Sequence, residues 1–216
     1  MAFSKRIRIL ASLVEPNKNI VDIGCDHALL DIYLTLYNHN SCIATDINEK
    51  AIQHAKENIK KYNLEIPVYV SDGLKNIPLL ENTTGIIAGM GTNTIIHQDL
   101  NQLSSFVIQT NNDYYLLRKF MTSIGYQIEE EITFYDKGIR YIAIKFIKGI
   151  QNYSYFELLL GPKLMQKKDK ETILYFQERY QENKKIEKKL PTRHWKKKLQ
   201  YKLENRTIKK LLRNSF

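Results

Sequence analysis

Over residues 1–125, short hydrophobic runs alternate with stretches whose apolar residues recur every three or four positions. The runs predict buried strands, and the spacing predicts amphipathic helices that pack on them. Strands are predicted at 20–23, 41–45, 67–70, 84–88 and 106–108, and helices at 5–14, 28–38, 48–62, 93–103 and 113–124. Two further β-rich runs, 126–135 and 140–148, are joined by Asp136-Lys137-Gly138, which predicts a hairpin. The pattern therefore predicts an α/β fold whose sheet ends in that hairpin.

The last quarter of the chain has a different pattern. Gly161-Pro162 separates a predicted first domain, 1–162, from a tail, 163–216, with helices predicted at 169–190 and 192–214. Pro191 ends the first of these helices, and two helices of similar length joined by a short turn predict an antiparallel hairpin. The apolar positions expected to line the second helix are Trp195, Leu199, Leu203, Ile208, Leu211 and Leu212.

Positive charge is concentrated in this tail. The formal net charge is +10, yet residues 1–162 contain 15 Lys and Arg against 17 Asp and Glu, whereas residues 163–216 contain 18 against 6. Such a segment indicates a polyanionic partner, although lysines also cover ordinary solvated surfaces. The cations expected to contact nucleic acid are Lys5, Arg6, Lys196, Lys197, Lys198, Lys202, Arg206, Lys209 and Lys210.

The stretch Ile20–His27 carries the main candidate chemistry. Gly24 follows the first predicted strand and precedes a helix, which is how open α/β sheets build a nucleotide site. Asp22 and Asp26 flank the only glycine of the turn, so it lacks the G-x-G-x-x-G pattern that holds a pyrophosphate. Two carboxylates suit a cationic ligand such as S-adenosylmethionine, and Asp46 on the next strand can accept a bond from a ribose diol. The simpler alternative is an ordinary turn in which Asp26 caps the helix.

Three later strands also end in candidate site residues. Asp72 can accept a hydrogen bond from an adenine amine, and Gly73 and Leu74 can enclose the ring, although Asp-Gly is also a common turn. Small residues in Gly89-Met90-Gly91 leave room for a flat substrate, or simply form a tight turn. The amides of Gln109 and Asn111 can recognise a base edge or cap a loop.

Other classes of site receive little support from the sequence. Cys25 and Cys42 lie on predicted neighbouring strands without a disulfide framework, so a reduced, cytoplasmic setting is expected. The five histidines lack ligand spacing, so no metal is expected. No leader-like h-region and no apolar run of membrane-spanning length is present, so no membrane association is expected.

Two motifs carry a resemblance to a known family. With Asp22-Ile23-Gly24-Cys25-Asp26-His27 and Ile87-Ala88-Gly89-Met90-Gly91, the chain resembles the bacterial TrmK family of tRNA (adenine(22)-N1)-methyltransferases. The resemblance implies a class I, Rossmann-like S-adenosylmethionine-dependent domain followed by an α-helical hairpin or coiled-coil tail. Thr92 stands where the family commonly has glycine, and Thr110 where it commonly has proline. The expected cofactor-binding residues are Asp22, Gly24, Asp46, Ile47, Asp72, Gly73, Leu74, Gly89 and Met90.

The resemblance also implies the reaction. N1 of neutral adenine has an in-plane lone pair, so methylation requires alignment and stabilisation of the developing charge rather than deprotonation. Asp26 is the first candidate for that role, with His27 and Asn111, while Gln109 would help to recognise the base in tRNA. A paired adenine must first leave its base pair, which costs on the order of a few kcal/mol. Two alternatives are an RNA-binding protein with a degenerate cofactor site and an RNA or DNA methyltransferase with another target atom. A monomer is expected.

Overall fold

The computed structural model describes residues 3–213 and divides into two compact units, Met1–Asn152 and Tyr153–Phe216. The division precedes Gly161-Pro162, because the short helix α6 (Tyr155–Leu160) belongs to the second unit. A Ser154–Glu157 capping box begins this helix, so the chain re-enters regular structure soon after the last strand.

The first unit is built on a seven-stranded sheet. Its strands are β1 (Asn19–Ile23), β2 (Ser41–Asp46), β3 (Val68–Val70), β4 (Thr84–Met90), β5 (Ser105–Thr110), β6 (Tyr126–Asp136) and β7 (Ile139–Lys148). The order is β3-β2-β1-β4-β5-β7-β6, and the first five strands pair in parallel. Strand β7 runs antiparallel to both β5 and β6. This is the predicted Rossmann-like sheet with its terminal hairpin.

Helices cover this sheet through their apolar faces. They are α1 (Lys5–Ser12), α2 (Leu29–Asn38), α3 (Glu49–Lys61), α4 (Thr92–Ile96) and α5 (Tyr114–Ser123). Ser4 caps α1 and Asn48 caps α3, each accepting a backbone N–H bond through its side chain. The core includes the fully buried Ile20, Ile32 and Ala44, which join β1, α2 and β2.

Helix α4 is shorter than the sequence predicts. A helix over 93–103 was expected, whereas α4 ends at Ile96. The hydroxyl group of the buried Tyr126 lies 2.8 Å from the carbonyl oxygen of Leu100 and 2.6 Å from that of Leu103, and it can donate a hydrogen bond to either. Where α4 ends, the His97 ring lies 2.6 Å from the Asn93 carbonyl oxygen and the Asp99 carboxylate accepts the Asn101 N–H at 3.3 Å, so local side-chain bonds compete with the helical ones.

The second unit contains a helical hairpin of α7 (Lys170–Lys189) and α8 (Trp195–Arg213) after α6. The predicted end of the second helix at Asn214 lies outside the described residues. The buried residues of α8 are Glu204, Asn205 and Ile208. Trp195, Leu199 and Leu203 were expected to line the helix but are exposed, because polar residues occupy its buried side.

Candidate cofactor and substrate cleft

Two adjoining cavities lie at the carboxyl ends of β1 and β4. The first cavity measures about 350 Å³, and residues that line it include Phe3, Asp22, His27, Tyr62 and Lys137. The second cavity measures about 420 Å³, and residues that line it include Asp46, Ile47, Asp72, Gly73, Met90 and Gln98. Both are bordered by Arg6, Gly24, Asp26 and Ala88, so we treat them as one cleft. The strand order reverses between β1 and β4, and ligands of open α/β sheets bind at such a point.

The turn from β1 to α2 has an unusual backbone. Gly24 and Asp26 border the cleft and have φ of +80° and +50°. Gly89, near the end of β4, also borders the cleft and has φ of +94°. Within the turn Ala28 is also left-handed and occupies the N-cap position of α2 without a side-chain cap bond. Asp26 therefore does not cap α2, which removes the simpler explanation for that residue.

Asp22 and Asp31 form a buried carboxyl pair beneath the turn. Asp22 is 3% exposed and Asp31 is 0% exposed. Burial is the main cause that raises the pKa of both groups, and the two side chains interact directly. Both oxygens of Asp31 and one of Asp22 find no donor among the described residues, so a proton held between the two groups would give each group one hydrogen-bonded oxygen. Asp31 was not predicted as a site residue, although an acid between Leu30 and Ile32 is a signal of burial.

Asp46 lies at the tip of β2, as expected for a ribose ligand. Its carboxylate accepts backbone N–H bonds from Asp26 at 3.2 Å and from Asn48 at 2.8 Å. A carboxylate has about four acceptor positions, so both oxygens retain capacity for a ligand. Ile47 follows it and is 69% exposed in the second cavity.

The turn after β3 presents Asp72 and Gly73 but not Leu74. The buried Ser71 hydroxyl bonds to the carbonyl oxygens of Gly73 and Lys75, at 3.1 and 2.8 Å. This folded turn directs Leu74 inward, where it is 7% exposed and is not among the described residues that line the cleft. Asp72 borders the second cavity and pairs with Lys75.

Arg6 lies within the cleft rather than on an outer surface. A Cβ atom at Gly89 would come 2.9 Å from an Arg6 guanidinium nitrogen, so the glycine allows this close approach. The guanidinium carbon is 5.4 Å from the centroid of the Tyr141 ring. Lys5, its neighbour on α1, is not among the described residues that line either cavity.

The loop after β5 is tied to the end of β4. The Asn111 side chain donates to the carbonyl oxygen of Gly89, and its backbone N–H donates to Met90 at 2.9 Å. Gln109, predicted to contact RNA, is instead 0% exposed, and its amide donates to the Thr110 carbonyl oxygen at 2.8 Å. Its position on a central strand, opposite Ala88, explains the burial.

Asp26 and His27 both reach the cleft with exposed side chains. The Asp26 carboxylate is 72% exposed and lies 3.6 Å from Nε2 of His27, which is 50% exposed. The His27 ring lies 5.4 Å from that of His54, and the Asn58 amide donates to the His27 carbonyl oxygen at 3.0 Å. These bonds fix the backbone that carries both candidate groups.

The two cysteines lie in the interior of the first unit. Cys25 and Cys42 are free and buried, and burial raises the pKa of both thiols far above the usual range.

Most of the cations predicted on α8 are exposed, while Lys198 is partly buried. The exposed ones are Lys196, Lys197, Lys202, Arg206, Lys209 and Lys210.

Residues 3–213 contain neither a cluster of metal ligands nor a helix suited to crossing a membrane. No three His, Cys, Asp or Glu side chains converge there as a metal site requires. None of the helices in that range combines the length and apolar character that a membrane crossing requires.

Comparison with known proteins identifies the family. Residues 20–211 match the family model TrmK, tRNA (adenine(22)-N(1))-methyltransferase. A Mycoplasma genitalium protein assigned as a tRNA methyltransferase is 34% identical over 79% of this chain and 82% of its own. The tRNA (adenine(22)-N(1))-methyltransferase of Bacillus subtilis is 28% identical over 78% of this chain and 77% of its own. The structure of M. capricolum TrmK with S-adenosyl-homocysteine has a TM-score of 0.83, is 27% identical and covers 98% of both chains. The chain therefore belongs to the TrmK family of tRNA (adenine(22)-N(1))-methyltransferases.

Proposed function

We propose that this chain binds S-adenosylmethionine in the β1–β4 cleft and transfers its methyl group to N1 of adenine 22 in tRNA. The observation that carries the proposal is the hydrogen bond that the backbone N–H of Asp26 donates to the Asp46 carboxylate, at 3.2 Å. This contact joins the tip of β2 to the turn after β1. Asp46, the acid proposed to bind the ribose, and Asp26, the acid proposed to stabilise positive charge on the adenine, therefore face the same cleft. The family match supports the same reaction.

The cleft residues fit this cofactor. Side chains at Gly24 and Gly89 would collide with Met90 and Arg6, so the two glycines let these two side chains pack closely against the backbone of the cleft. Asp46 would hold the ribose hydroxyls, and Asp72 the exocyclic amine of the adenine. The exposed Ile47 and the partly buried Met90 would pack on the faces of the ring. Leu74 would support the turn from beneath rather than touch the ring.

The first cavity suits the charged end of the cofactor. Asp22 would face an ammonium group and Arg6 a carboxylate, since both line this cavity. A cationic ligand next to Asp22 would favour ionisation of the buried pair and release its proton. When bound, the cofactor supplies an electrophilic methyl group on a sulfonium.

At the substrate end, this chain's residues orient the base and stabilise charge. The lone pair of adenine N1 requires no general base. The exposed Asp26 carboxylate would stabilise the positive charge that develops on the ring, and His27 would adjoin it. Asn111, held to Gly89 and Met90, would position the base against the end of β4.

The second unit would bind the tRNA body. Residues 163–216 contain 18 Lys and Arg against 6 Asp and Glu, and phosphate contacts from such a segment depend on salt. We further propose that the protein acts as a monomer in the cytoplasm. The buried free thiols and the tRNA substrate support that location.

The decisive experiment follows the methyl group to its nucleoside. The protein is incubated with labelled S-adenosylmethionine and unmodified tRNA with adenine 22, and the RNA is then digested. The proposal predicts labelled 1-methyladenosine, lost when adenine 22 is replaced by guanine. A label in another nucleoside, or no transfer despite cofactor binding by calorimetry, would overturn it.

A further inference from the structure

Helix α8 packs against α7 through polar side chains. The Glu204 carboxylate accepts hydrogen bonds from Arg179 at 2.6 Å and from Asn183 at 2.7 Å. Asn183 also donates to Asn205 at 3.3 Å, and Arg179 donates to the Tyr175 hydroxyl at 2.8 Å. This buried network fixes the register of the hairpin, because each group must face its partner.

The opposite side of α8 carries an exposed apolar stripe. Trp195, Leu199 and Leu203 are 59%, 48% and 44% exposed. Their spacing of four residues places them along one side of the helix. Three large apolar side chains side by side form one exposed patch, and such patches mark interaction sites.

Exposed cations lie on the same side of the helix, one beside the stripe and four beyond Leu203 toward the C-terminal end of α8. Helical periodicity places five exposed residues within about 60° of Trp195 around the axis. They are Lys202, Arg206, Lys209, Lys210 and Arg213. The only carboxylate of α8, Glu204, lies on the buried side. We call the stripe and these five cations the α8 outer face.

We propose that the α8 outer face binds unpaired nucleotides of tRNA, with the Trp195 indole stacked on a base and the cations on the phosphates. The inference rests on the proposed function, because it names the part of the tRNA substrate that this surface takes. Stacking on an aromatic side chain is tolerant of sequence and is worth about 1–3 kcal/mol per base. The Lys196 ammonium lies 5.7 Å from the centroid of the Trp195 ring, so ring and cation are presented together.

The charge of this face favours RNA over a second copy of the chain. Two α8 outer faces brought together would oppose five cations to five, and like charges resist association. The centres of protein interfaces are also depleted of lysine, whereas Lys202 stands between Leu199 and Leu203 along the helix. A polyanion with exposed bases matches both the cations and the apolar stripe.

Fluorescence gives a direct test, because Trp195 is the only tryptophan of the chain. Saturating unmodified tRNA should quench its emission. A fully paired RNA duplex of similar charge should bind at low salt and quench far less, because its bases are stacked internally. Unchanged emission at saturating tRNA, or equal quenching by the duplex, would overturn the inference.

Variants separate stacking from phosphate binding. Trp195→Ala should raise the Kd for tRNA by about 5- to 150-fold, the range that corresponds to stacking of one base. Trp195→Phe should restore most of the affinity, and neither variant should alter the slope of log K against log salt. Arg206→Gln should reduce that slope by about one. Ile150→Ala is the matched control, since Ile150 is a 92% exposed apolar residue of the first unit.

Two further readouts distinguish the possible failures. Trp195→Ala should raise KM for tRNA and keep kcat and the calorimetric cofactor affinity. If the wild-type protein methylates tRNA and Trp195→Ala binds it equally well, the inference alone fails. If the wild-type protein methylates no tRNA, the proposed function fails. A wild-type dimer that Trp195→Ala converts to a monomer in light scattering would assign the face to a second copy and overturn the inference.

Discussion

The hydroxyl groups of Thr92 and Thr110 lie 2.8 Å apart in the interior of the first unit, one on α4 and the other at the end of β5. The Thr92 hydroxyl is also 2.6 Å from the carbonyl oxygen of Asn112. In a consistent arrangement, Thr110 donates to Thr92 and Thr92 donates to that carbonyl group. These are the two positions at which the resemblance to the family led us to expect glycine and proline, and in the structure they form a single contact.

This pair should hold the loop that carries Asn111. We expect Thr92→Val and Thr110→Val each to lower the free energy of unfolding by about 1–3 kcal/mol, because each leaves a buried partner unsatisfied. The double variant should cost less than the sum of the two, which a double-mutant cycle measures by urea unfolding.

A functional readout accompanies this cycle. Each single variant should lower kcat, since Asn111 is no longer held firmly against Gly89. Thr83→Val is the matched control, because Thr83 is a buried threonine whose hydroxyl donates to Leu80 outside the cleft. Additive stabilities, or equal kcat losses in the control, would contradict the positioning role.

Asp26 should matter more for methyl transfer than for binding. Asp26→Asn keeps a residue that tolerates the left-handed backbone at φ +50° and removes only the charge. We expect kcat to fall by about 10²- to 10³-fold, the loss typical for one preorganised electrostatic group. Calorimetric cofactor affinity should change only slightly. Asp99→Asn, at an exposed position outside the cleft, is the control, and an unchanged kcat in Asp26→Asn would remove Asp26 from the mechanism.

Arg6 should act on the cofactor rather than on RNA. It lines both cavities, whereas Arg8 on the same helix is exposed. Arg6→Met should raise the cofactor Kd about tenfold or more, since a charge-assisted bond contributes about 1.5–3 kcal/mol. Arg8→Met should leave that Kd unchanged. If both variants instead weaken tRNA binding equally, α1 contributes to the RNA-binding surface, and the proposed role of Arg6 in cofactor binding is wrong.

The buried Asp22–Asp31 pair should make stability depend on pH. Because the pKa of each group is raised in the folded protein, the native state retains protons that the unfolded chain has already released. The free energy of unfolding should therefore fall as pH rises from about 4 through about 7, the raised pKa of Asp22, and the raised pKa of Asp31 adds a loss in the same direction.

Asp31→Asn tests this linkage. The asparagine amide can donate to an ionised Asp22, so the variant should be more stable than the wild type at pH 8 by about 1 kcal/mol or more, and should lose most of that advantage at pH 5. The measurement is urea unfolding at both pH values, with Asp99→Asn as an exposed control. A pH dependence equal to that of the wild type would exclude a shared proton.

The positions of the parallel strands could be predicted because each is a short apolar run that ends in a turn signal, whereas their order in the sheet was seen only in the structure. Local pattern could not reveal contacts between distant segments. Tyr126 contacts the carbonyl groups of Leu100 and Leu103 in the irregular segment after α4, and the pairing with β4 buries Gln109. The site acids at the strand ends follow from topology alone, whereas the position of Arg6 depends on how α1 packs.

The division between the units gives the last prediction. Residues 153–216 contain 18 Lys and Arg against 7 Asp and Glu, so nearly all the excess positive charge lies in the second unit. A protein that ends at Asn152 should keep its cofactor affinity, because both cavities are lined by residues of the first unit. Its tRNA affinity should fall by at least tenfold at about 0.15 M salt, with a much flatter salt dependence, because most phosphate contacts are gone. A second truncation after Pro162 retains α6 and tests whether that helix contributes. Filter binding over a salt series measures both, and an unchanged slope for the shorter protein would assign tRNA binding to the first unit.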